Sequence, residues 1–334
     1  MSLSSLGDLA QSFMLQRRSA AIRQDMSRLT HELATGQKAD MRQVLAGNHG
    51  YISQIERTLS ALTGFTLATQ EAEQFMDGIQ YVLDGAQEKA GKLGADLISA
   101  SNSVVGLVAS NPSQNAETEL RSVMGLLNTQ SAGRSLFAGV ATDTPPLATT
   151  DALLADLRTA MTGAGSVSAM LAAADTWFDT GGGFETLIYQ GSATALAPFQ
   201  LSDQETVQLD VRADDPAIRE VLKHFAVAAL AEDPALGLTP AEKAEMFSTT
   251  GAGLLVGQSA LTALRTGIGF SQARVDEIAT RNAATQTGLE MSRNALLSVD
   301  PFETATKLED VQFQLQSLYA VTVKSSQLSL VNFL

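Results

Sequence analysis

LTALRTGIGFSQARVDEIATRNAATQTGLEMSRNAL, residues 261–296, carries one periodic pattern without a slip. Alternating steps of three and four pick out Leu261, Leu264, Ile268, Ser271, Val275, Ile278, Asn282, Thr285, Leu289, Ser292 and Leu296. Most of these are aliphatic, and about five heptads in one register make a coiled-coil seam on a long helix. Asp300-Pro301-Phe302-Glu303 follows. It supplies an N-cap, a proline suited to the first helical position, and an acid placed to reach back in a capping box. A second helix is expected from there, with Leu308, Val311, Leu315 and Leu318 at the same spacing. Two long helices in tandem need an elongated partner, and the chain's own beginning is the nearest source of one.

Residues 1–35 read as an amphipathic helix, with Leu15, Ile22, Met26, Leu29 and Leu33 on one stripe and Arg17, Arg18, Arg23 and Arg28 on the polar face. Gly36 stops it as a C′ residue. Helical spacing returns from Tyr51 through Ile55, Leu62, Phe75, Ile79, Val82, Leu93 and Leu97. Glycines at 64, 78, 85, 91 and 94 each weaken that helix by about 1 kcal/mol relative to alanine, so tertiary packing must hold it together. Asn111-Pro112 punctuates, and a helix with Ala116, Leu120, Val123 and Leu127 is expected over 114–136. The simplest packing is antiparallel, 51–110 and 114–136 against 255–298, with 1–35 beside 301–334.

The middle differs. Thr144-Pro145-Pro146 and Gly181-Gly182-Gly183 are breakers. A short helix is expected at 151–161, and strands at Thr186–Tyr189 and at Thr206–Arg212, where Val207, Leu209 and Val211 alternate. Further helices begin at Asp215-Pro216 and Thr239-Pro240, and Gly251-Ala252-Gly253 reads as a flexible joint. The fold class is therefore mainly α: long antiparallel coiled-coil rods from both chain ends, with a small mixed α/β outer domain inserted in the middle. Three parts follow: 1–40 with 297–334 as a terminal, assembly-dependent helical domain, 41–142 with 253–296 as a rod domain, and 143–252 as the outer domain. Removing 148–250 is expected to leave a soluble helical protein.

With 22 basic against 36 acidic residues and a net charge of -14, the chain lacks the basic stripe that nucleic acid or an anionic membrane demands. It has no cysteine, which removes disulfides and thiolate metal sites. The N-terminus shows no basic n-region followed by an apolar h-region, and no window approaches eighteen apolar residues. Neither membrane insertion nor a cleaved signal peptide is expected.

Residues that hint at chemistry fall short. His31-Glu32-Leu33-Ala34-Thr35 begins like a zinc-protease motif, but threonine stands where the second histidine ligand belongs. Gly251-Ala252-Gly253 lacks the lysine and spacing of a phosphate loop. Asp214-Asp215 before Pro216 reads as capping charge, and no G-x-S-x-G is present. No enzyme and no cofactor is expected. The polar seam residues Asn282 and Thr285 have two readings: a water-exposed patch, or a buried polar side chain that fixes register. The arginine face of 1–35 is either solvated or paired with acids on a neighbouring subunit.

Asn128-Thr129-Gln130-Ser131-Ala132-Gly133-Arg134-Ser135-Leu136-Phe137-Ala138-Gly139 resembles the segment that ends the first rod in flagellar hook-associated proteins of the FlgL type. Within it Asn128, Thr129, Gly133, Arg134, Phe137 and Gly139 carry the likeness. Thr142–Leu147 is similar to that family's passage into its outer domain. Leu33–Lys38, Gln272–Val275 and the helix starting at Asp300 resemble the flagellin-type ends, and Tyr189-Gln190-Gly191 resembles a family fragment.

The resemblance implies a hook–filament junction protein, secreted to the flagellum outside the cell without a cleaved signal. Its partners would be further copies of itself in a ring, a neighbouring hook-associated junction protein, flagellin, and an export chaperone for the C-terminal tail. Leu15, Ile22, Met26, Leu29, Leu33, Leu308, Val311, Leu315, Leu318, Val331, Phe333 and Leu334 are the expected assembly residues. The terminal segments are expected to gain order on joining that assembly. Flagellin itself, or a secreted needle or translocator protein with coiled-coil hairpins, are the competing readings.

Overall fold

The computed structural model describes residues 3–39, 49–102 and 111–331. The chain runs α1 (Leu3–Thr35), α2 (His49–Ser101), α3 (Pro112–Leu127), β1 (Gln130–Ser131), β2 (Arg134–Ser135), α4 (Thr150–Met161), α5 (Val167–Phe178), β3 (Phe199–Gln200), β4 (Thr206–Val207), α6 (Pro216–Leu230), α7 (Pro240–Leu297) and α8 (Pro301–Val331). It divides into two compact units, Met1–Leu62 with Ala283–Leu334, and Thr63–Asn282.

In the second unit α2 and α7 pair antiparallel. Asp77 accepts from Gln272 (2.8 Å), Gln80 donates to the Arg265 carbonyl (2.9 Å) and Gln87 donates to Thr262 (2.9 Å), so numbers rise on one helix as they fall on the other. The helices come within backbone contact where Gly94 faces Gly251. A Cβ on Gly251 would lie 2.9 Å from the Gly94 carbonyl oxygen and from an Ile98 side-chain carbon. Gly251-Ala252-Gly253 is therefore no joint: α7 runs through it without a break, and its glycines are the notch that admits α2 and α6. Gly253 lies under the His224 ring and Gly257 under Val221. The free-energy weakness that glycine brings to an isolated helix is offset here by backbone-to-backbone contact.

α7 starts with a reciprocal capping box. The Thr239 N–H donates to Glu242 (2.8 Å), and the Glu242 N–H donates to the Thr239 hydroxyl (3.3 Å). Along its seam Leu261, Ile268, Val275 and Ile278 are buried and Leu264 is half-buried.

Helix α3 ends at Leu127, shorter than the 114–136 expected from sequence. Gln130–Ser135 instead forms a hairpin, with Gln130 opposite Ser135 and Ser131 opposite Arg134. The reason lies in Ala132 and Gly133, whose φ values of 49 and 77 make the two-residue turn that suits hairpin twist. Thr186–Tyr189 is not a strand either. Phe184–Ile188 is a π-helical turn, and only Tyr189 bridges, antiparallel to Leu147. The strand at Thr206 is real but short, pairing Phe199 with Val207 and Gln200 with Thr206. Val207 and Leu209 are buried and Val211 half-buried, so the alternation reports one-sided burial in largely irregular backbone. α5, which the sequence reading did not anticipate, is capped by Ser166 accepting from the Ala169 N–H (3.2 Å).

One apolar core runs through this unit. Phe75 and Ile79 of α2, Leu120 of α3, Leu157 of α4, Trp177 of α5, Phe199 and Leu201, Phe225 of α6 and Val275 of α7 all belong to it. The Phe75 and Phe199 rings lie 6.1 Å apart. Ser113 at the start of α3 donates to the Ala228 carbonyl (2.8 Å) and accepts from the Glu232 N–H (3.1 Å).

In the first unit α1 and α8 pack antiparallel. Arg23 donates to the Tyr319 hydroxyl (2.7 Å) at one level, and at another the Val299 N–H donates to the Gly36 carbonyl (3.0 Å). Gly36, at φ 68, closes α1 as the sequence indicates. The chain after it bridges antiparallel to the α7–α8 link, Gln37 opposite Ser298, with the Lys38 N–H on the Leu297 carbonyl (2.9 Å). Asp300 caps α8, accepting from Phe302 (2.8 Å) and Glu303 (3.2 Å). Glu303 does not reach back as a capping-box acid; it pairs with Lys307 at 2.6 Å.

The shared core sets the fate of a deletion. Removing 148–250 strips cover from Phe75, Leu120 and Val275, so the remainder should lose helical circular dichroism or aggregate. A soluble, cooperatively melting remainder would show that α2, α3 and α7 bury enough surface by themselves.

Candidate assembly surfaces

The terminal pair exposes more than it buries. On α1, Ile22 and Leu29 are buried, Leu15 and Met26 half-buried, and Leu33 is 39% exposed. On α8, Leu308, Val311, Leu315 and Leu318 are all half-buried. The Val331 side chain, Phe333 and Leu334 lie outside the described residues. Large apolar side chains stand in solvent on both helices: Phe13 and Met14 on α1, Phe302, Phe313, Val321 and Val323 on α8. A helix apolar on several sides wants neighbours on several sides. In the same unit Leu289 and Leu296 are half-buried, and burial passes to Leu297, which joins Ile52. A strict seven-residue count drifts about 20° per heptad on a straight helix, which accounts for that shift by one residue.

The residues that suggested chemistry have structural partners. Glu32 is buried and accepts from the Ala39 N–H (2.9 Å), with Arg28 3.3 Å away. It pins the turn after α1. Asp215 caps α6 through the Ala217 N–H (2.8 Å), while Asp214 and Asp210 hold Arg212 at 3.0 and 2.6 Å. Among the described residues no cluster of three or more His, Asp or Glu is placed to hold a metal ion, and no helix is long and apolar enough to cross a membrane. Asn282 is buried, donating to the Leu201 carbonyl (2.8 Å), whereas Thr285 is exposed. The water-exposed reading therefore fails for Asn282. Its carboxamide fixes the register of α7 against the strand segment.

The segment 128–139 is a node of backbone hydrogen bonds. The Asn128 carboxamide satisfies both main-chain groups of Leu147, donating to its carbonyl (3.0 Å) and accepting from its N–H (2.9 Å). Thr129 closes the helix end through its N–H on the Leu126 carbonyl (3.0 Å). Gly133 makes the turn, and Arg134 pairs with Glu71 while its guanidinium lies 5.8 Å from the Phe75 ring centre. Phe137 is fully buried, and its carbonyl accepts from the Ala213 N–H (3.0 Å). Gly139, at φ 61, lies so close to the 192–194 backbone that a Cβ would meet the Thr194 oxygen at 2.4 Å. Tyr189 closes the far side, its hydroxyl donating to the Ser192 carbonyl (2.9 Å) and its ring filling the space over Gly191. Burial pushes the Tyr189 hydroxyl pKa upward.

Comparison with known proteins bears on both regions. Residues 257–334 match the family described as the bacterial flagellin C-terminal helical region. The last part of α7 and all of α8 are thus similar to that helical region. A structure described as that of a flagellar hook-associated protein of Vibrio parahaemolyticus shares the fold at a TM-score of 0.54. It is 13% identical, over 75% of this chain and 99% of that one. The crystal structure of Bacillus cereus FlgL aligns over 72% of this chain and 98% of that one, at 14% identity and a TM-score of 0.46. No curated protein matches. The resemblance first drawn from residues 128–147 and the two ends thus meets a family match at the C-terminus and a hook-associated fold over most of the chain.

The α2–α7 contact also carries like charges. Burial, then the Asp276 and Asp77 carboxylates, push the Glu73 pKa up. The opposite holds at Glu220, which the hydrogen bond from His224 and the neighbouring Lys223 bring down to about 2 against its burial.

Two predictions follow from these contacts. Asn128→Ala leaves both Leu147 groups unsatisfied at a nearly buried position and should cost about 1–3 kcal/mol. Asn128→Asp keeps the acceptor but turns a carboxylate oxygen toward the Leu147 carbonyl, so it should not restore the parent's stability at pH 7; equal melting temperatures for both variants and the parent would mean that the node is dispensable. A raised carboxylate pKa makes the folded state bind protons more readily, so its ionised form destabilises the fold as pH rises above the ordinary value of 4.5. Glu73→Gln should therefore raise the melting temperature at pH 7, with the gain fading as pH falls toward 4.5; a gain that is the same at both pH values would contradict this.

Proposed function

We propose that this chain is a structural subunit of the bacterial flagellum placed at the junction of hook and filament, where it performs no chemistry. One observation carries the reading: within the flagellin-type stretch 257–334, α8 pairs with α1 yet leaves Phe302 at 83% and Phe313 at 70% exposure. Such surface is burdensome on a free protein and useful in an assembly. The helical segments 1–40 and 297–334 then form the assembly-dependent part, 41–142 with 253–296 the rod, and 143–252 the outward-facing part. The subunit would contact further copies of itself, an adjacent hook-associated protein and flagellin. Export would proceed through the flagellar channel, with a chaperone on the apolar C-terminal tail. The hook-associated fold likeness supports the junction over the filament, whereas the family matched at the C-terminus is that of flagellin and keeps the filament subunit as second reading.

Electron microscopy of a strain lacking the gene separates the two. A junction subunit predicts hooks without filaments and flagellin shed as monomers into the medium. Filaments of normal length on the mutant would remove the junction role.

A further inference from the structure

The glycines of α2 and α7 fall into two kinds. At Gly78, Gly91, Gly94, Gly251, Gly253 and Gly257 an added Cβ would meet a neighbouring atom at 3.0 Å or less, so packing explains them. At Gly64 of α2 and Gly288 of α7 a Cβ would meet nothing within 4 Å, and the same holds at Gly267 and Gly269. None of these four has a positive φ, and all lie inside continuous helix. Neither a turn nor a close approach requires them, yet each lowers helix propensity.

Their surroundings separate the two pairs. Gly267 and Gly269 flank Ile268, which belongs to the large apolar core. Contacts of Arg265 with Gln80 (3.2 Å) and of Gln272 with Asp77 (2.8 Å) tie that stretch of α7 to α2. Gly288 has no such support: none of the described residues 283–296 is buried. On α2, Thr69 is the one buried residue between Leu62 and Ala72. The border between the compact units crosses α2 after Leu62 and α7 after Asn282. Each helix runs unbroken through that border and carries one unpacked glycine within about two turns of it. Around Gly288 the hydroxyls add to the effect. Thr287 donates to the Ala283 carbonyl (2.9 Å) and Ser292 to the Gly288 carbonyl (2.9 Å), back-bonds of a kind that often bends helices.

We propose that Gly64 and Gly288 are bending points built into α2 and α7, at which the terminal unit changes its angle to the larger one. A residue without Cβ has the widest backbone range, and here no packed neighbour narrows it. Bending confined to these points leaves the core around Phe75 and Val275 intact. The inference concerns the chain itself and does not rest on what it assembles with.

The test uses the full chain with two spin labels. Because the chain has no cysteine, A273C in the larger unit and T306C in the terminal one, both at exposed positions, direct the labels to those sites alone. Pulsed dipolar spectroscopy then reads the spread of distances between the units. G64A/G288A should narrow that distribution and raise the melting temperature, since alanine restores helix propensity and meets no atom. G267A/G269A should raise the melting temperature as well, but leave the distribution as wide as the parent's. Equal widths in all three chains, or equal narrowing by both pairs of alanines, would overturn the assignment of bending to Gly64 and Gly288. A melting temperature lowered by G64A/G288A would overturn it too, because the two positions would then be packed.

Discussion

The close antiparallel contact of α2 and α7 is the constraint on which the larger unit depends. Neither helix is well suited to stand alone, because each carries glycines that cost helix propensity. The same glycines allow approach to backbone distance at Gly94 and Gly251, and they admit His224 and Val221 of α6 against Gly253 and Gly257. Packing then compensates locally for what propensity lacks. The apolar core grows outward from this contact through Phe75, Leu120 and Phe225, and rod and insert become parts of one buried cluster.

The 128–139 segment turns that cluster into a defined path for the chain. Asn128 behaves as an extra piece of backbone for Leu147, and Gly139 lets the chain pass within contact of the 192–194 loop. Polar groups at such a crossing must be paired, since an unpartnered buried donor or acceptor is expensive. The motif is therefore a structural hinge-point of the fold, and its residues need no ligand to explain them.

The terminal unit follows a different logic. Its two helices are held by a few specific contacts, Arg23 with Tyr319 and Gly36 with Val299, and by a seam that is mostly half-buried. Exposed phenylalanines give it an unfinished surface. Stability in the larger unit comes from its own core, whereas the terminal unit leaves large apolar side chains such as Phe302 and Phe313 in solvent.

The sequence by itself determined the helical elements that obey strong local rules. The seam from Leu261 to Ile278, the Gly36 stop, and the Asp300 and Asp215 caps are all set by period and capping chemistry within a few residues, and the flagellin likeness of the C-terminal helices was legible there too. Tertiary structure decided the rest. Glycines at 251 and 253 read as a joint until a second helix was seen to need their missing side chains. Thr186–Tyr189 looks extended by composition, yet its backbone winds into a π-helical turn that buries Phe184 and Ile188. Asn282 is polar on any scale, and only the Leu201 carbonyl brought beside it from 81 residues away makes it a buried register lock. Local sequence encodes period and caps because those interactions span a turn or two; close approach, burial and the partners of polar groups are set by residues far apart in the chain.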